Sequence, residues 1–212
     1  VLYPQDFIYL TGILVISVLT VRILGGPFRD MRPYADLFFM GAAFLLLETK
    51  NIATFALLFG TTWLVNALVF TGVLVAVLAA IEVTQRSKRE IPRPFIITAL
   101  FGSLLIAFLI PNAALLSLPV PLRLTAAVLL AFAPIFFANL LFTSRFKDSA
   151  NPTAAFAANL FGAMVGGCLE YLSLLLGYQL LLVVAAGLYL AAVLIGQRQL
   201  SRTPKAAESA AP

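Results

Sequence analysis

Histidine is absent from the 212 residues, and cysteine occurs once, at Cys168. Without histidine, no nucleophile–histidine pair of the hydrolase kind can form. With only one cysteine beside that absence, zinc, haem and copper sites of the usual kinds have no ligand set, so no metal and no cofactor is expected. A single cysteine also excludes an intrachain disulfide, and in "GAMVGGCLEYL" it reads as a buried small hydrophobe. Charge is scarce too: 11% of residues are charged and 62% are hydrophobic, where a soluble domain carries about 25% charge. No strand pattern leads into a glycine-rich phosphate loop. No catalytic motif remains, and the expectation is that this chain is not an enzyme.

What is present is apolar sequence, with a mean hydropathy of +1.03. One globular core cannot hide that much, because a domain of this size must still cover its surface with polar groups. The chain therefore reads as an all-α, polytopic integral membrane protein. Its net charge of +5 fits basic loops on the cytoplasmic side of a membrane better than nucleic-acid binding. The first apolar run lacks a basic leader and a small-residue cleavage site, so it reads as a membrane helix and not a signal peptide.

A hydrocarbon core about 30 Å thick needs roughly 20 apolar residues in helix. Seven segments meet or approach that length: about 7–24, 36–59, 61–81, 95–110, 121–142, 153–176 and 178–196. Gly60 and Gly177 stand where a helix ends and the chain must reverse. Residues 1–196 are thus expected to form the transmembrane bundle, and 197–212 a polar, disordered cytoplasmic tail. If the seven helices alternate, one side receives Arg22, Arg29, Arg32, Arg86, Lys88, Arg89, Arg93, Arg145, Lys147, Arg198, Arg202 and Lys205. The other side receives only Arg123, and Lys50 lies within a span. The positive-inside rule makes the rich side cytoplasmic, which places the N-terminus outside and the C-terminus inside. Seven helices also suggest a retinal protein, but the last helix, "YQLLLVVAAGLYLAAVLIG", has no lysine for a Schiff base.

Polar residues inside the spans are the candidates for function. In "FLLLETKNIATFALLFG", Glu48 and Lys50 are two residues apart and point about 200° apart, so they cannot pair with each other on the helix. Each needs water or a partner on another helix, because an isolated charge in hydrocarbon costs several kcal/mol. Measured at 1.5 Å per residue, Glu48, Lys50, Asn66 and Glu170 all fall in the outer half of the bilayer and are expected to form one intramembrane polar network. Two readings stay open: a solute or ion site, or a structural clamp in which Lys50 pairs with a carboxylate, Glu170 foremost.

Asn139 in "FFANLLF" and Asn159 in "FAANLFG" form a second polar pair, best read as interhelical glue. The sixth segment carries Ala154, Ala158, Gly162 and Gly166 at four-residue spacing, with Ala163 and Gly167 beside them. Such a stripe lets another backbone approach closely and reads as a helix-packing face. Pro134 predicts a kink in the fifth segment.

The stretches "LLETK", "FG-T-W-VN", "F-DS" and "GAMVGG-LEYLS" resemble the C-terminal membrane portion of bacterial fused transporter-like and spermidine-synthase-like membrane proteins. The similarity covers most of residues 1–196. It implies the bacterial inner membrane. It also implies partners beyond the lipid bilayer, either further membrane subunits or an aminopropyltransferase-like domain of the same polypeptide that precedes this portion. None of that domain is in these residues, so the resemblance assigns them no aminopropyl transfer. The expected function is a non-catalytic membrane module that anchors or scaffolds a larger assembly. The alternative is part of a secondary transporter for a small solute.

Overall fold

The computed structural model describes residues 11–12, 15–16, 18–23, 28–87, 91–171, 173 and 177–200. Every element among them is helical. A helical turn, Phe28–Met31, and a 3-10 turn, Arg32–Tyr34, lead into α1 (Ala35–Phe59). There follow α2 (Trp63–Arg86), α3 (Arg93–Leu109), α4 (Val120–Lys147), α5 (Pro152–Leu169) and α6 (Tyr178–Leu200), with a short turn, Asn112–Leu116, between α3 and α4. Five helices, α1, α2, α4, α5 and α6, are long and apolar enough to cross a membrane. The segment near 95–110 forms α3, a shorter apolar helix of 17 residues. Of the expected first span, 7–24, residues 11–12, 15–16 and 18–23 are described and are helical; of the expected tail, 197–212, residues 197–200 continue the last helix and the rest lies outside the described residues.

Local chemistry sets the helix ends. Gly60 closes α1 at φ +95, with its N–H bonded to the Ala56 carbonyl, and Gly177 precedes α6 at φ +82. Both lie in the left-handed region that glycine adopts without steric cost. The Thr62 hydroxyl caps α2 by accepting from the Val65 N–H. Asn151 caps α5 by accepting from the Ala154 N–H, and Pro152 follows in the first turn.

Several of the expected spans have different limits. The 61–81 segment forms Trp63–Arg86, and the 178–196 segment continues to Leu200. The 153–176 segment ends its helix at Leu169, after the glycine pair Gly166–Gly167. The 121–142 segment continues to Lys147, with Phe142 stacked on Phe146 and Arg145 paired to Asp36. Pro134 lies within the continuous run of α4.

α1 is the central helix. It packs against α5 and α6 along much of its length and touches α2 and α4 as well. One core cluster gathers Leu37, Leu46, Leu100, Leu141, Ala155, Ala185 and Tyr189 with their neighbours. A second, around Phe55, Val69, Ala127 and Ile135, joins the Gly60 end of α1 to α2 and α4. Outside this core the surface is itself apolar: Leu57, Trp63, Leu74, Leu109 and Leu129 are all exposed. A surface of this kind suits lipid and not water.

The two ends of the bundle are tied differently. At one end Arg145 pairs with Asp36 at 2.5 Å, Arg93 pairs with Asp148, and the Asn151 N–H donates to the Tyr34 hydroxyl. At the opposite end Arg123 donates to the carbonyls of Leu58 and Leu118, and the Gln179 amide donates to Phe108. Successive helices therefore alternate in direction. Arg86, Arg93, Arg145 and Lys147 share the Asp36 end, while Arg123 stands at the other.

Candidate functional site

The seam between α1 and α5 fixes the geometry of everything polar near it. A Cβ added at Gly162 would run into the Phe38 carbonyl, and one at Gly166 would lie 2.6 Å from the Ala42 carbonyl oxygen. From the other side, a Cβ at Gly41 would strike the Asn159 carbonyl. The two backbones thus interlock through glycines on both helices. Ala158 continues the stripe and is buried, and Gly167 sits beside Leu45. Close approach of this kind is how membrane helices gain packing energy where lipid removes the hydrophobic drive. It also brings the end of α5 level with "ETKN" on α1.

There the Thr49 hydroxyl donates to the Glu170 carboxylate at 3.2 Å. Glu170 stands at the C-terminal cap of α5, not within a helix as the sequence pattern expects. A carboxylate at that end opposes the helix dipole, and the Thr49 contact offsets part of the cost. Glu48 is half-buried on α1, beside Thr49.

Lys50 is only 9% exposed. Among the described residues no hydrogen bond or ion pair reaches its ammonium; the ion pairs are Arg86–Glu82, Arg93–Asp148 and Arg145–Asp36. The pairing of Lys50 with Glu48 or Glu170 that the clamp reading needs is not among these ion pairs, and the contact Glu170 makes across the seam is with Thr49.

Asn66 lies apart from this group. It is exposed on α2, and the buried positions of that helix are Val65, Val69, Val73, Ala76 and Ala80. The buried network therefore does not include it: a polar residue one position off the buried stripe faces outward. Asn51, next to Lys50, takes a place that sequence reasoning missed. It is 3% exposed, and its amide donates to the Ala131 carbonyl at 3.0 Å, in the turn of α4 just before Pro134. Pro134 has no N–H for the carbonyl of Leu130, and Asn51 ties α1 to the neighbouring carbonyl of Ala131 beside that gap. The signal was available: an asparagine one turn after Leu47 within an apolar run, and a proline inside another.

Asp36 and Arg145 were also missed as a pair, since 109 residues separate them. Asp36 is fully buried and its second oxygen, Oδ1, has no partner among the described residues. Gly196 of α6 closes on it, with a Cβ there 3.4 Å from Oδ2.

Asn139 and Asn159 do come together, around a cavity and not through a direct bond. Asn139 donates to the Ile135 carbonyl at 2.8 Å and Asn159 to the Leu37 carbonyl at 3.0 Å. Both line a cavity of about 200 Å³ with Tyr189 of α6. Among the described residues no group of three or more acidic, cysteine or histidine side chains is placed to hold a metal.

No family model, curated protein or solved structure matches the chain.

Proposed function

We propose that this chain is a non-catalytic integral-membrane module that joins a larger assembly by offering the ammonium of Lys50 to an acidic group. One observation carries the reading: Lys50 is held in the central helix at 9% exposure with no counter-charge among the described residues. An ionisable group inside a membrane helix is expensive and is by default functional. The acidic group belongs to a further membrane subunit or to another part of the same polypeptide. The resemblance in sequence suggests the second, with a spermidine-synthase-like domain anchored by this bundle. Seven spans, the basic Asp36 end in the cytoplasm and the bacterial inner membrane complete the proposal, supported by the clustering of Arg86, Arg93, Arg145 and Lys147 at one end.

A second reading is favoured by the Thr49–Glu170 contact, which sets hydroxyl, carboxylate and ammonium groups on two adjoining helices. There the chain is part of a secondary transporter, and Lys50 receives the anionic group of a small solute. Isolation of the protein from native membranes separates the two. In the first reading wild type and Lys50→Arg retain a stoichiometric partner that Lys50→Met loses. In the second all three behave alike in assembly, and only anion binding changes. Equal assembly and equal anion binding in all three would remove both.

A further inference from the structure

Five helices meet around the 200 Å³ cavity: Met40 and Phe44 come from α1, Val77 from α2, Ala138, Asn139 and Phe142 from α4, Asn159 from α5 and Tyr189 from α6. The volume equals about six or seven waters at 30 Å³ each. None of the eight lining residues is charged. Three carry polar groups with hydrogen-bonding capacity to spare. Each asparagine spends one amide N–H on a backbone carbonyl. That contact fixes the orientation of the amide, because a flipped group would set oxygen against oxygen. The two Oδ1 atoms are left as acceptors with no partner among the described residues. Tyr189 is 1% exposed, and its hydroxyl also has none. Asn139 and Tyr189 are buried and Asn159 is part-buried, and their spare polar atoms are not sealed in the packing but open on the cavity they line; polar groups inside a protein are almost always satisfied, so the cavity is built for an occupant.

The donor and acceptor pattern restricts that occupant. Two carbonyl-type oxygens call for N–H or O–H donors, and a phenol hydroxyl supplies one donor in return. The flanking rings of Phe44 and Phe142 suit a flat apolar body. An ionised ligand would enter a cavity with no counter-charge, at a prohibitive desolvation cost. We propose that this cavity binds a small, neutral, planar primary amide, its NH₂ donating to Asn139 and Asn159 and its carbonyl accepting from Tyr189. The site is independent of Lys50, six residues beyond Phe44 on α1.

The test uses the full chain in lipid nanodiscs, with benzamide as probe and toluene, benzoate and benzylammonium as comparators, read by titration calorimetry. Saturable 1:1 binding of benzamide and none of the two ions is expected. Tyr189→Phe, which keeps the shape, removes one neutral hydrogen bond and should weaken benzamide roughly fivefold to tenfold. Toluene binding should not change. Val77→Phe fills the space without touching a polar group and should abolish binding. The proposal is overturned if benzamide does not saturate, if toluene binds as tightly, or if Tyr189→Phe leaves the affinity unchanged; any of these would mean the cavity holds water or lipid alone.

Discussion

Replacing Lys50 with methionine should make the isolated chain more stable. A lysine inside a membrane helix costs about 2.5–3.5 kcal/mol on insertion scales. Lys50 lies nine residues before the end of α1 at Phe59, roughly 14 Å along the helix, too deep for easy escape to the interface. No carboxylate repays the cost among the described residues. Methionine keeps the unbranched shape and adapts to irregular gaps, so most of the penalty should disappear with little repacking loss. The expected gain is about 2 kcal/mol. Reversible unfolding of purified wild type and Lys50→Met in mixed micelles measures it, and a double-mutant cycle with Glu170→Gln should show coupling below about 0.5 kcal/mol. A loss of about 3–5 kcal/mol in Lys50→Met, the amount that follows from breaking a buried pair, would refute an unpaired Lys50.

Three further outcomes follow from the geometry. Gly162→Val places a side chain against the Phe38 carbonyl, which is backbone and cannot rotate away; a loss of about 3 kcal/mol is expected in the same unfolding assay, whereas Gly187→Val, with nothing near its Cβ, should change little. Arg145→Leu strands the fully buried Asp36, so a loss of about 3–5 kcal/mol is expected, largely recovered in the Asp36→Leu/Arg145→Leu double variant. In a Cys168→Ala background, Ser117→Cys should react with a membrane-impermeant thiol reagent added to intact cells, while Ser87→Cys should react only after lysis; the reverse pattern would invert the proposed orientation.

The helices were legible because a run of some twenty apolar residues has few other stable forms, and because Gly60 and Gly177 mark two of the reversals. The ends were less so. Hydropathy ends α4 short of Arg145 and Lys147, yet Arg145 stays in helix, where Asp36 answers it across the bundle. Glu170 looked embedded, but the helix stops one residue earlier, after two glycines that hold a helix weakly.

For the polar residues, composition showed which were costly and not where each cost was met. Asn66 and Val65 are neighbours in sequence, and only packing decides that the valine is buried and the asparagine is not. The junction of Asn139, Asn159 and Tyr189 depends on helices that are distant in sequence, and no spacing rule reaches it.

A zero-length cross-link reads directly which group answers Lys50. A membrane-soluble carbodiimide activates carboxylates in native membranes, and a neighbouring amine then displaces the activating group to form an isopeptide. Mass spectrometry of the digested product identifies what Lys50 has joined. A link from Lys50 to an aspartate or glutamate outside the described residues is predicted. A link from Lys50 to Glu48 or Glu170 would contradict the account and restore the clamp.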